Sequence, residues 1–223
     1  MGRTVGNIYA LTLNFISLAV CSYGLYDSFF SERVLPPQLF EAGQWQFWTN
    51  WSLTVTIAVL ALGVVAHATK SQYLFRLKNN IHPIGLAMET VVTIVYWPLR
   101  LFFLALLIKD DAPKMELPIS TDLSVHLMPV VGLIVDYLAF MPNWTFKRSS
   151  AFGVCCIITT SYWFWLHYII DLEKGAGFPY EFLNHPSAYF RLTIFALVGL
   201  IGLSSAFLWP KVHAWVAGKE KEK

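Results

Sequence analysis

The sequence predicts an all-α, polytopic membrane protein with six transmembrane helices, a single domain over residues 1–223, and both termini in the cytoplasm. Three observations carry that expectation. Apolar residues make up 56% of the chain and charged residues only 13%, with a mean hydropathy of +0.53, a balance typical of integral membrane proteins. Six apolar segments are each long enough to cross about 30 Å of hydrocarbon as a helix. The connections between them alternate in charge.

The first segment, residues 7–29, is too long for a signal-peptide core and lacks a clear cleavage site, so it reads as a retained span. An acidic connection follows, with Asp27, Glu32 and Glu41. The second segment, 44–69, opens with Trp45, Trp48 and Trp51, which suit the headgroup layer. Lys70, Arg76 and Lys78 come next. The third segment, 83–108, leads into Asp110, Asp111 and Glu116. The fourth, 121–140, leads into Lys147 and Arg148. The fifth, 149–171, is followed by Asp171, Glu173 and Glu181. The sixth, 188–209, precedes a tail, 210–223, with Lys211, Lys219, Lys221 and Lys223. Positive connections favour the cytoplasmic side, which places both ends there. Six crossings independently require the ends to share a side. Lys219 and Lys221 stand fifth and third from the end, the spacing of a dilysine retrieval signal, so residence in the endoplasmic reticulum membrane is expected. The alternative is a solvated charged end.

The net charge of +2 makes no case for nucleic acid. Cys21, Cys155 and Cys156 fall in apolar stretches and suggest neither a metal site nor a disulfide framework. No metal or cofactor is expected.

The fourth segment holds the chemistry. It carries His126 and Asp136 at membrane depth, where an ionisable group suggests a site by default. Pro129 has no N–H, so the carbonyl of Val125 loses its helical partner and the turn beside His126 loosens. A kinked helix whose histidine bonds a neighbour is the structural alternative. Thr49 lies five residues inside the second segment and His126 five residues inside the fourth, entering from the same non-cytoplasmic side. Both are roughly 8 Å deep. A hydroxyl is a weak nucleophile until a base takes its proton, and a threonine and a histidine at one depth have that geometry. The alternative for Thr49 is a hydrogen bond to a carbonyl of its own helix.

Arg100, in the third segment, either snorkels to the surface or holds a fatty acid carboxylate. Snorkelling is the simpler expectation. Asp122, one turn from His126, either orients its ring or complements the helix dipole, and the dipole role is favoured. His167 lies at a similar level and suits a water or headgroup contact. Ser52 and Asn50 are near Thr49 in sequence, although helix geometry turns Asn50 away. Glu89 and Asp136 form a deeper group that either shares a proton or bonds neighbouring aromatics. His67, His82 and His213 read as interfacial. Most of the aromatic residues, 16% of the chain, read as belts and helix packing.

Gln46-Phe47-Trp48-Thr49-Asn50, the stretch from His126 through Pro129-Val130-Val131 to Asp136, and Gly177-Phe178-Pro179-Tyr180 together resemble a known family. It is that of the androgen-induced protein and the androgen-dependent regulator of tissue factor pathway inhibitor. The resemblance covers nearly the whole chain in span count and loop length. It implies a six-span membrane hydrolase that cleaves fatty acid esters of hydroxy fatty acids, with Thr49 matching the family threonine and His126 the family histidine. The partner so implied is a lipid with long acyl chains. Two other readings stay open. One is a non-catalytic lipid or sterol binder, in which Arg100 and His126 hold a headgroup. The other is a haem electron-transfer protein with His126 and His167 as axial ligands. The absence of a matching cytoplasmic pair weighs against that one.

Overall fold

The computed structural model describes residues 3–31, 35–107 and 117–221, and for 219–221 the backbone only. Glu32, Asp110, Asp111, Glu116 and Lys223, and the side chains of Lys219 and Lys221, lie outside the described residues. Nine α-helices are described: α1 (Ile8–Phe30), α2 (Pro37–Phe40), α3 (Trp48–Thr69), α4 (Gln72–Phe102), α5 (Leu104–Leu107), α6 (Ile119–His126), α7 (Met128–Phe140), α8 (Arg148–Ile169) and α9 (Ala188–Lys221). Three short 3₁₀ turns lie in the connections, one between α2 and α3 and two between α8 and α9, and no strand occurs among the described residues. Five helices, α1, α3, α4, α8 and α9, are long and apolar enough to cross a membrane. The α6–α7 pair, bent by 41°, makes a sixth crossing when taken as one span.

Helix α1 begins where the Asn7 side chain accepts hydrogen bonds from the N–H groups of Tyr9 and Ala10. Its buried face is a column of small residues: Ala10, Asn14, Ser17, Cys21 and Gly24. In lipid, helices associate by close packing, which small residues permit. A Cβ at Gly24 would stand 2.6 Å from Ser124 Oγ and 2.7 Å from Val125 Cγ1. That glycine therefore lets α6 lie directly on α1. Leu53, Leu60, Leu86, Leu133, Tyr137 and Met141 fill the core between α3, α4 and α7. Helix α8 packs mainly against α9.

The bend between α6 and α7 falls where Pro129 predicts it. Leu127 leaves helical geometry, at φ −127° and ψ −51°. The break also frees the carbonyl of His126, which accepts from Thr93 Oγ1 at 3.0 Å and Trp97 Nε1 at 3.2 Å. Two α4 side chains thus stabilise the loosened turn.

Four expectations need correction. Helix α4 starts at Gln72, well before Pro83, and both Pro83 and Pro98 lie inside it. Lys78 is therefore a helix residue rather than loop charge. It is fully buried, its Nζ 2.5 Å from Asp136 Oδ2. Asp136 also meets His82 Nε2 at 3.3 Å and accepts from Asn14 Nδ2 at 2.7 Å. It shares nothing with Glu89, which accepts from Thr56 Oγ1 at 2.8 Å instead. Among the described residues neither carboxylate bonds a tyrosine or tryptophan. His67, His82 and His213 are buried rather than interfacial. Helix α9 continues through Pro210 to Lys221 instead of ending near Trp209. His213 on that extension meets the carbonyl of Met141 at 2.9 Å, and Arg3 donates to the carbonyl of Leu138 at 3.1 Å. The start of the chain and the end of α9 therefore lie at one end of the bundle.

Candidate active site

The break after His126 ends α6 with the imidazole packed inward and buried. One turn earlier, Asp122 faces it: Oδ1 lies 2.8 Å from His126 Nδ1. The same carboxylate oxygen accepts from the Tyr96 hydroxyl at 2.6 Å. Arg100 Nε lies 3.8 Å from the other oxygen. The Tyr96 ring stacks on the His126 ring, centroids 3.4 Å apart and planes 5° from parallel. Four side chains from α4 and α6 thus form one unit. The arrangement fixes the imidazole: stacking sets its plane, and the carboxylate occupies Nδ1. Nε2 has no hydrogen-bond partner among the described residues, and it is the nitrogen available to a substrate or nucleophile.

Thr49 sits in the first turn of α3. The Phe47 side chain does not cap that helix. The Tyr180 hydroxyl takes the place of a cap, accepting from the Trp48 N–H at 3.2 Å and lying against Thr49. Tyr162, whose hydroxyl donates to the Gln46 carbonyl at 2.6 Å, adjoins Tyr180. Thr49 makes no hydrogen bond to a carbonyl of its own helix among the described residues. Thr54, Thr69 and Thr90 all do. Its hydroxyl meets the Tyr180 hydroxyl instead, at the start of a helix whose N-terminal N–H groups carry partial positive charge.

Thr49, Trp48, Tyr180, Tyr162 and Tyr96 line one end of a largely apolar cavity of about 300 Å³. It runs between α4, α8 and α9 down to Asn80 and Ser150. Trp48 contributes a buried indole N–H with no partner. His126 is not on the cavity wall: it lies behind Tyr96.

The structure therefore joins His126 with Asp122 and Arg100 but makes no hydrogen bond between His126 and Thr49. Helices α3 and α6, which carry them, are in contact. Arg100 is half-buried beside Asp122 instead of reaching freely to the surface. Asp122 is in the first turn of α6, as a dipole role requires, yet its carboxylate points at the imidazole. Ser52 lies one turn below Thr49, fully buried, its hydroxyl without a partner in good geometry. Asn50 turns away and donates to the Gln44 carbonyl at 2.8 Å. His167 is exposed, its Nδ1 2.8 Å from the Trp163 carbonyl, and shares no contact with His126. Among the described residues no three His, Cys, Asp or Glu side chains converge as metal ligands would.

Sequence reasoning missed Tyr96 and Tyr180. Tyr96 precedes Arg100 by four residues, so the two share a helix face, and that spacing was a usable signal. Tyr180 stands in the Gly177-Phe178-Pro179-Tyr180 stretch, but nothing in that stretch assigns it a role, and it reaches Thr49 only through the packing of the loop before α9.

The profile of the FAR-17a/AIG1-like protein family matches residues 11–214. The chain belongs to this family. Two curated relatives are similar over most of their length. A UPF0641 membrane protein of Saccharomyces cerevisiae is 31% identical over 215 residues, covering 90% of this chain and 89% of the yeast protein. A UPF0641 membrane protein of Schizosaccharomyces pombe is 32% identical over 171 residues, covering 76% and 75%. No solved structure matches. As a FAR-17a/AIG1-like protein the chain is a membrane protein, and Thr49, Asp122 and His126 all fall within the region the family profile spans.

Proposed function

We propose that this protein is a membrane-embedded carboxylic ester hydrolase acting on long-chain lipid esters, fatty acid esters of hydroxy fatty acids being the class its family resemblance implies. Thr49 is the nucleophile and His126 the base. The observation that carries the reading is the placement of a threonine hydroxyl, bonded to no carbonyl of its own helix, at the polar end of a largely apolar cavity, with an Asp–His pair packed beside that end.

In this mechanism Thr49 Oγ1 attacks the ester carbonyl while His126 Nε2 takes its proton. The tetrahedral intermediate expels the alkoxide, which recovers that proton from the imidazolium. Water, deprotonated by His126, then attacks the acyl-threonine. The C–O bond to Thr49 breaks, Thr49 Oγ1 recovers the proton from the imidazolium, and a carboxylic acid leaves. Asp122 holds the tautomer with Nδ1 protonated and stabilises the imidazolium. Thr49 and His126 close to hydrogen-bonding distance when substrate fills the cavity, since catalytic contacts often tighten only in the complex. The Tyr180 hydroxyl and the Trp48 indole N–H are the donors nearest the developing oxyanion.

The protein resides in the endoplasmic reticulum membrane, with both ends cytoplasmic and the catalytic residues toward the opposite face. The regular alternation of loop charge and the Lys219–Lys221 spacing support that placement. The experiment is turnover of a hydroxy fatty acid ester by purified protein. Thr49→Ala and His126→Ala should each abolish it with helix content intact. A non-catalytic lipid binder would turn over no ester at all.

A further inference from the structure

The cavity follows α4 for most of that helix, its wall running from Leu99 and Tyr96 to Asn80. From Tyr96 to Asn80 is about 24 Å along the helix axis at 1.5 Å per residue. With a volume of about 300 Å³, the cavity forms a slot between α4, α8 and α9 along that length. Its hydroxyls gather at the Thr49 end, and below them the wall is dominated by aliphatic side chains. Two wall positions at middle depth are small. Gly202 on α9 faces Val91, since a Cβ there would stand 3.5 Å from Val91 Cγ2, an ordinary contact. Ala87 on α4 lies one turn deeper. Measured along α4 from Tyr96, Val91 is about 8 Å down and Ala87 about 14 Å. Gly199 and Ala206 flank Gly202 on the same α9 wall, so the slot is open at these levels and a large side chain at Gly202 or Ala87 would fill it.

We propose that Gly202 and Ala87 are specificity-determining residues that set the length of acyl chain the slot accepts. A single extended chain lies along the slot with its carbonyl at Thr49 and its methyl end toward Asn80. This inference rests on the ester-hydrolase reading for the carbonyl's position. The chain's path follows from the shape and lining of the slot. Filling the slot at Gly202 shortens the accepted chain more than filling it at Ala87, because Gly202 is nearer Thr49.

The test uses full-length protein in lipid nanodiscs, as wild type, Gly202→Leu and Ala87→Phe. One readout is hydrolysis of an ester series with a common alcohol and acyl chains of graded length. The ratio of long-chain to short-chain kcat/KM should fall about tenfold or more in both variants, since a single excluded methylene is already worth about that much. The cut-off should come at a shorter chain for Gly202→Leu than for Ala87→Phe. The second readout needs no turnover. A long-chain fatty acid with a diazirine at its methyl end should label the Asn80–Ala87 half of the slot in wild type, and lose that label in both variants. An unchanged chain-length profile, a common cut-off, or labelling outside the slot would overturn the proposal. If wild type hydrolyses no ester, the hydrolase reading fails and labelling alone decides the slot. Because the two substitutions lie on different helices, either one gives an answer if the other does not fold.

Discussion

Asp122 and His126 stand one turn apart on α6, and the carboxylate Oδ1 lies 2.8 Å from the imidazole Nδ1. A carboxylate serving only the helix dipole has no need of that contact. The pair is an i,i+4 contact within α6, and the chain breaks helical geometry at Leu127, immediately after the histidine. The freed His126 carbonyl is then held by Thr93 and Trp97, so the turn carrying the imidazole is fixed from the neighbouring helix.

The first prediction follows from that contact. Asp122→Asn should lower ester turnover by about a hundredfold or more, because the amide can hold the wrong tautomer. The rate should rise with pH through the ionisation of a histidine, since only the neutral ring accepts a proton. Steady-state kinetics across pH 5 to 9 would check both. Activity within about twofold of wild type would reduce Asp122 to a dipole role.

Tyr96 should separate stacking from hydrogen bonding. Tyr96→Phe keeps the ring on His126 but loses the hydroxyl bonded to Asp122, and should cost about tenfold or less in kcat, an amount fitting the loss of one hydrogen bond. Tyr96→Ala removes the ring that sets the imidazole plane and should cost far more. Equal losses would mean that stacking contributes nothing.

A third prediction concerns the buried pair at the other end of the bundle. Lys78→Met leaves the buried Asp136 carboxylate without its cation, with only Asn14 and the His82 ring beside it, and should destabilise the protein by about 3–5 kcal/mol. Lys78→Met with Asp136→Leu should recover most of that, because two apolar groups replace two charges. Thermal unfolding in detergent would measure it. Additive losses in the double variant would mean that the two residues act independently.

Much of this architecture is legible in the sequence. Hydropathy and length predict the membrane helices, of which five are each long enough to cross and a sixth crossing is the bent α6–α7 pair, and Pro129 predicts the bend that releases the His126 turn. The early start of α4 is hidden because Pro83 reads as a helix beginning, whereas an interior proline is tolerated in a packed membrane helix. Depth follows from counting residues, but rotation about a helix axis does not. Depth alone brings Thr49 and His126 to one level, yet it cannot say that Tyr96 stands between the imidazole and the cavity. The same ambiguity hides Lys78, His82 and His213. Each lies near a membrane boundary in sequence, and each turns inward to partners on other helices.

The fourth prediction is cellular. Lys219→Ser with Lys221→Ser should release the protein from the endoplasmic reticulum to later secretory compartments, observed by microscopy of the tagged chain. Unchanged localisation would leave the tail as solvated charge. Reporter insertion between residues 110 and 116 should report the non-cytoplasmic side. A cytoplasmic report would invert the orientation and with it the shared depth of Thr49 and His126.

The identity of the nucleophile is tested most directly by a phosphonylating ester analogue, followed by mass spectrometry of the purified protein's peptides. The predicted result is one stable adduct on Thr49, absent from Thr49→Ala and slowed about a hundredfold or more in His126→Ala, where the base is gone. An adduct on another residue, or ester turnover that persists in well-folded Thr49→Ala protein, would contradict the assignment.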